Sequence, residues 1–472
     1  MSFSYGLAVI LVMFEGIIMQ CEGGGVFSLN RGPDPPLLPN DLIELILSKT
    51  DFQTIHNTIR EKIVRTTDIA MSGILQSHII LINLRKFDAA FDDYRQSGII
   101  EDYRNGEFIL RFGNYEKLLQ FFERFGDQVK KIAISYSSTD ENNKHKEINE
   151  KIIKKYANNF EEIRIISQND GGFWEETSKG ENVIIFPELK ELQLRTDASR
   201  NTIKWNLIFP KLESLFLSGR FVYENCLENV KGLKELMLCP NLLKNEQLDD
   251  IFANNENLQI VRLQWPTGTE TMHSIAKHLT KLKTLEIFWP GDNFLSRANN
   301  NPVYELPSVN HFIFLFYDMG PVIGMGDLNL SFDMPHLRKL TLIGSQPNDR
   351  IINFIQHFKK LEILVLSVRN YNAIKCIEKL KHIKEFAILR REHDFDSLKT
   401  MFENFDKKSK LETLKFIDFD ESLYRKYEKE MKKFNIHLEK SMKPTWTLSR
   451  FETQQKQLIF RREPCKCESC EK

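Results

Sequence analysis

One spacing of residues, apolar-x-x-apolar-x-apolar, recurs along this 472-residue chain and leaves few folds open to it. It runs Leu189, Leu192, Leu194, then Leu212, Leu215, Leu217, then Leu233, Leu236, Leu238, then Leu258, Val261, Leu263. It continues through Leu282, Leu285, Ile287, through Val309, Phe312, Phe314, and through Leu337, Leu340, Leu342. Three further copies are Leu361/Leu364/Leu366, Ile383/Phe386/Ile388 and Leu411/Leu414/Phe416, and two looser ones precede them at Val129/Ile132/Ile134 and Phe160/Ile163/Ile165. Their starting positions lie 21 to 31 residues apart. Within each copy the last two apolar positions are separated by one residue, the alternation of a strand with one buried face. Ahead of several copies lie apolar residues at helical spacing: Ile251-Phe252, Ile275 and Leu279, Ile355 and Phe358, Ile377 and Leu380. No unit of this size can bury its apolar face alone, so neighbouring units must stack.

Period and pattern resemble those of the leucine-rich repeat. The expected fold is therefore α/β: a leucine-rich-repeat solenoid over residues 128–440, with a curved parallel sheet on its concave side and helices on its convex side. Long inserts such as Gly171–Asn182 and Gly320–Asp327 should loop out on the surface. With the triplets facing inward, the residues between and beside them face the concave surface. In the early units these are polar, Glu162, Arg164, Glu191, Gln193 and Arg195; later they are Glu286, Phe288, Ile313, Leu315, Ile343, Ile363, Val365, Ala387 and Leu389. Exposed apolar residues in one contiguous patch mark a partner surface. Phe288, Ile313, Leu315, Ile343, Val365 and Leu389 are accordingly the candidate residues for binding a target protein. The alternative is that the chain's own Trp446–Phe460 covers them.

Ahead of the repeats, Leu37-Leu38-Pro39-Asn40-Asp41 opens a helical pattern in which Asn40 or Asp41 can cap and Leu42, Leu45 and Ile46 share one apolar face. A Leu-Pro pair before an amphipathic helix resembles the opening of an F-box, and its place ahead of leucine-rich repeats resembles the F-box/leucine-rich-repeat family. Gly106–Ile134 also looks like the region entering the repeats in insect members of that family. The resemblance implies a small helical F-box-like region over residues 37–75 and a helical linker or cap over 76–127. It further implies a substrate-recognition adaptor of a Skp1-cullin-F-box ubiquitin ligase. Leu38, Pro39, Leu42, Leu45 and Ile46 would then dock a Skp1-like adaptor, and the repeats would hold a target of unknown identity. Two other readings stay open: a leucine-rich-repeat scaffold with no ligase partner, and a secreted or surface repeat protein.

Residues 1–36 form a leader, apolar and then Gly/Pro-rich, and they decide between those compartments. Tyr5–Gln20 is 16 residues long, shorter than the roughly 20 of a spanning helix, and Glu15 interrupts it. As a signal peptide it has an apolar core, yet no Lys or Arg precedes that core and Met19-Gln20-Cys21-Glu22 is a poor cleavage site. The one glycosylation sequon, Asn329-Leu330-Ser331, agrees with a cytoplasmic or nuclear chain over a secreted or membrane-bound one. Lys plus Arg and Asp plus Glu both number 65, and this balance argues against nucleic acid as a partner. No P-loop, zinc-protease helix or nucleophile elbow occurs, so no catalytic residue, cofactor or small-molecule substrate is assigned. Cys465, Cys467 and Cys470 are three thiols where a closed zinc site wants four ligands. They are read as part of a flexible tail, 441–472, and no metal is assigned.

Overall fold

The computed structural model describes residues 80–83, 103–104, 107–108, 115–136, 148–167, 184–196, 201–203, 207–218, 221–223, 227, 230–238, 243–289, 303–316, 331–343, 349–367, 382–389, 412–417, 436–447 and 450–462. Contacts divide the chain after Ala70, and every described residue belongs to the second unit, Met71–Lys472. The leader, the F-box-like residues Leu38, Pro39, Leu42, Leu45 and Ile46, the inserts Gly171–Asn182 and Gly320–Asp327, and the Cys465–Cys470 cluster lie outside the described residues.

The architecture is mixed α/β around one large, mainly parallel sheet. Its strands are β1 (Ile80–Asn83), β2 (Lys131–Tyr136), β3 (Glu162–Ser167), β4 (Glu191–Thr196), β5 (Ser214–Ser218), β6 (Glu235–Leu238) and β7 (Ile260–Pro266). They continue as β8 (Thr284–Trp289), β9 (His311–Phe316), β10 (Lys339–Ile343), β11 (Ile363–Ser367), β12 (Glu385–Leu389) and β13 (Thr413–Ile417). Each pairs in parallel with the strand before it and the strand after it in this series. Register follows the repeat: Leu192 lies opposite Leu215, Leu215 opposite Leu236, and Leu236 opposite Val261. The triplet residues of one unit therefore stack on those of the next, and they form the core. Leu189, Leu215, Leu258, Leu285, Phe312, Leu340 and Leu364 are fully buried.

Helices precede three of the strands where the spacing predicts them. They are α2 (Asn245–Asn254), α3 (Thr269–His278) and α4 (Asp349–His357), and α1 (Tyr115–Phe125) stands ahead of β2. Leu118 and Phe122 on α1, Ile251 and Phe252 on α2, Met272 and Ile275 on α3 and Ile355 on α4 are among their buried residues. Ile377 and Leu380, which the sequence reading also places on a helix, lie outside the described residues.

Helices do not back every unit, and here the expectation is corrected. Ahead of Leu189, Leu212, Val309 and Leu337 the chain forms two-stranded parallel ribbons instead. Ile184–Ile185 pairs with Leu207–Ile208, and Val303–Glu305 pairs with Ser331–Asp333. Each ribbon strand runs into an apolar residue followed by proline, at Pro187, Pro210, Pro307 and Pro335. Proline disfavours the helical region for the residue before it and removes a donor of its own, so extended backbone wins. The ribbons do the helices' packing work: Phe332 lies 5.2 Å from the triplet residue Phe312, and Tyr304 lies 5.7 Å from Phe332.

Strands also occur in two stretches that the sequence reading describes otherwise. Residues 76–127 are not wholly helical, because β1 starts the parallel sheet and the short strands Tyr103–Arg104 and Glu107–Phe108 accompany it. Most of the stretch read as a flexible tail is ordered into strands, β14 (Ile436–Thr447) and β15 (Arg450–Arg462). These form an antiparallel hairpin whose second strand pairs with β13, from Thr413 opposite Arg461 to Ile417 opposite Gln457. The hairpin extends the sheet at its edge; the covering reading for Trp446–Phe460 would lay it across a face. A terminal strand leaves a row of backbone groups unpaired, and pairing is the means of satisfying them.

One polar side chain holds consecutive units together. Asn255, 2% exposed, accepts from the Leu233 N–H at 3.0 Å and donates to the carbonyls of Val230 at 3.0 Å and Ile251 at 2.9 Å. Replacing it with Ala leaves those buried groups unsatisfied, and each such group is worth about 1–3 kcal/mol. Asn255→Ala should therefore destabilise the fold by about 2–3 kcal/mol in urea titration, and a loss below about 0.5 kcal/mol would contradict this role.

Candidate interaction face

Strand alternation sends the triplets to one face of the sheet and the intervening residues to the other. Register then collects the intervening residues into rows that cross the strands. One row reads Arg262, Glu286, Ile313, Thr341, Val365, Ala387 from β7 to β12. Beside it, Phe288, Leu315 and Ile343 are aligned across β8, β9 and β10, and Leu389 lies opposite Ser367. The structure thus brings the sequence-derived target residues onto one face of the sheet.

They do not form an open apolar patch. Leu315 is 2% exposed and Val365 7%, while Phe288, Ile313 and Ile343 are half-buried. Val365 and Ala387 make a small apolar cluster of their own, with Ile363 packed against it. Neighbouring strands stand about 4.8 Å apart, so large side chains in one row shield each other. The exposure of the Leu389 side chain lies outside what is described. Elsewhere among the described residues, the exposed large apolar residues are Ile185, Ile208 and Val303, all on the two ribbons.

Toward the amino-terminal strands the same face is charged. The Arg164 Nε donates to Glu162 Oε1 at 2.5 Å and its Nη2 lies 3.8 Å from Glu191, while Lys131 Nζ is 3.8 Å from Glu162. Gln193 donates to Glu191 at 2.5 Å. Burial raises the Glu162 carboxyl above the usual carboxylate range, and the Arg164 charge opposes that rise. These charges therefore form a closed network rather than a set of free recognition groups.

Between the charged and apolar halves stand residues that the sequence reading passes over as partner groups. Arg262 Nε lies 3.6 Å from Glu286 Oε2, and burial raises the Glu286 carboxyl while Arg262 works against it. His311 sits one strand further on, its Nε2 3.4 Å from Thr341 Oγ1. Burial, then the charges of Lys339 and Arg262, push its pKa down to about 3, so the ring is neutral at ordinary pH. Each of these residues lies between or beside triplet positions, and that placement alone was the available signal.

One further cluster contains a Ser, a His and an Asp. Ser274 Oγ donates to Asp249 Oδ1 at 2.6 Å, His278 Nε2 lies 3.0 Å from the same oxygen, and Lys277 Nζ lies 3.3 Å from Oδ2. Nucleophilic catalysis needs the imidazole between hydroxyl and carboxylate. Here the carboxylate receives both, so the cluster is an α2–α3 tie, and the Ser274 hydrogen bond is the first cause holding the Asp249 carboxyl below its usual range. His278 is mostly buried in this tie.

Among the described residues no three His, Cys, Asp or Glu side chains are grouped to hold a metal ion, and no helix is long and apolar enough to cross a membrane. No protein-family model matches the chain, and no curated protein matches its sequence.

Proposed function

We propose that this chain is a leucine-rich-repeat solenoid that binds a target protein through the sheet face opposite its triplets, as the substrate-recognition adaptor of a Skp1-cullin-F-box ubiquitin ligase. The observation that carries the binding half is the sheet itself: consecutive units, paired in parallel in chain order, line up their intervening residues on one face. Such faces suit the recognition of extended protein surfaces. Phe288, Ile313 and Ile343 retain accessible apolar area there and would supply the contact, with Leu315 and Val365 as their packed neighbours and Leu389 as a further candidate on β12. The ligase half rests on the Leu38-Pro39 opening and the apolar positions Leu42, Leu45 and Ile46, which would dock a Skp1-like adaptor. The balance of 65 basic and 65 acidic residues supports a protein target over nucleic acid, and the proposed role would place the chain in the cytoplasm or nucleus. The proposed role needs neither a catalytic residue nor a cofactor in this chain.

Capture of Skp1 by the tagged full-length chain tests the ligase half. The parent should retain Skp1, and Leu42→Asp with Ile46→Asp should lose it while the thermal transition of the repeats stays unchanged. A carboxylate buried at an apolar contact without a partner is strongly unfavourable. Equal capture by parent and double variant would eliminate the adaptor reading, and loss of the repeats' transition would make residues 37–75 a cap on the repeats. For the binding half, Phe288→Glu and Ile343→Glu are the informative substitutions, because both positions are half-buried and tolerate polarity better than Leu315 or Val365.

A further inference from the structure

We infer that a column of alternating charge along the amino-terminal rim of the sheet is a register code, which favours each repeat unit's sequence neighbour over the unit one place beyond it. The residue after the first apolar position of each unit reads, from Lys130 to Glu412, Lys, Glu, Lys, Glu, Lys, Gln, Lys, Asn, Arg, Glu, Lys, Glu. Cation and carboxylate-or-amide acceptor alternate through all of these units without a break.

The structure places this residue at the junction between units. Its backbone carbonyl accepts two N–H groups from the unit that follows. Lys130 O accepts from Glu161 at 2.7 Å and Glu162 at 3.2 Å, and at the far end Lys384 O accepts from Glu412 at 2.8 Å and Thr413 at 3.0 Å. The side chains follow the same path, with a lysine reaching back to the acceptor of the unit before it. Lys190 meets Glu161 at 2.8 Å, Lys234 meets Glu213 at 2.7 Å, Lys283 donates to Gln259 at 2.9 Å and Lys384 meets Glu362 at 3.1 Å.

Backbone pairing and triplet stacking cannot supply this information. The apolar triplets are nearly interchangeable, so triplet stacking alone does not reject a wrong neighbour. Skipped or exchanged units are the characteristic misassembly of repeat proteins. With an alternating column, a correct neighbour always brings an acceptor to a cation, whereas a skipped unit brings cation to cation or acceptor to acceptor. The lysines in these pairs are about half exposed, 51–54%, and exposed pairs contribute little to stability. Their effect lies in the difference between right and wrong partners, which is how charge sets specificity elsewhere.

The test uses the full-length chain. Lys190→Glu with Lys234→Glu places four consecutive carboxylates at positions 161, 190, 213 and 234. A second variant inverts the column with Lys130→Glu, Glu161→Lys, Lys190→Glu, Glu213→Lys and Lys234→Glu, ending against the neutral Gln259. On dilution from denaturant at low salt, monomer recovery of the double variant should fall about fivefold. It should return in roughly 1 M salt, where the screening length is about 3 Å. The inverted variant should recover within about twofold of the parent, since it restores alternation with every sign changed. The inference is overturned if the double variant refolds as well as the parent, if it loses melting temperature with recovery intact, or if the inverted variant fails as badly as the double one.

Discussion

Phe312→Ala should destabilise the protein by about 3–5 kcal/mol, a large fraction of what a domain has to lose. Phe312 is fully buried, with ring centroids 5.3 Å from Phe314 and 5.2 Å from Phe332. Phe332 in turn contacts Phe354 of α4 at 6.3 Å, so one aromatic cluster joins strand, ribbon and helix from neighbouring units. Truncation leaves a cavity lined by residues that sheet register holds in place, and a cavity that cannot collapse adds to the lost transfer energy. Because repeat stability is largely a sum over neighbouring interfaces, the damage should also divide the array. Hydrogen exchange in Phe312→Ala should therefore quicken first in β9 and β10, and the urea transition should broaden. The half-buried Phe288, on the opposite face, supplies the control: Phe288→Ala should cost about 1 kcal/mol. Stability of Phe312→Ala within about 1 kcal/mol of the parent would show that this cluster is not the centre of the core.

Acidification should weaken the fold through His311 well before the bulk of the carboxylates titrate. Its folded pKa is lowered from 6.5 to about 3. The unfolded chain therefore binds a proton below pH 6.5 that the folded protein refuses. The stability this residue provides is complete above pH 6.5 and is lost as pH falls from there toward 3. Each pH unit in that window is worth up to 1.4 kcal/mol, so the total is on the order of 3–5 kcal/mol. Glu162 and Glu286 act in the opposite sense. Their raised pKa values favour the fold below the unfolded carboxylate pKa, and that contribution disappears as pH rises through the folded values. Denaturant midpoints at pH 7, 5.5 and 4.5 should fall more steeply for the parent than for His311→Gln. The His311 ring resonances should show no titration near pH 6.5. An ordinary midpoint for that ring, or identical slopes in parent and variant, would refute the assignment.

Much of this arrangement is legible in the residues, for a physical reason that differs from element to element. The triplets are readable because a strand buried on one face must alternate, and Leu192, Leu215 and Leu236 stand in register as their spacing implies. The α2, α3 and α4 helices are readable because Ile251-Phe252, Ile275 and Ile355 recur at helical intervals before a strand. The ribbons at 184–208 and 303–333 are not read from the repeat; the prolines that follow them, Pro187, Pro210, Pro307 and Pro335, disfavour helix in the residue before each but do not by themselves specify a strand partner. The hairpin β14–β15 is not legible either. Nothing local distinguishes a polar tail from a strand whose partner is the far edge of the sheet.

Sequence by itself determined that the chain must stack repeated strand units, because a unit of 21 to 31 residues cannot bury its apolar side alone. It also determined which residues share a face, because alternation is a property of the backbone. Tertiary structure decided how open that face is. Leu315 and Val365 look like exposed binding residues in one strand and become buried once strands stand on both sides of them. It also decided which charges are paired. Arg262 meets Glu286 and His278 meets Asp249 across more than twenty residues of chain. Such distances are set by the stacking of whole units, and no local pattern encodes them.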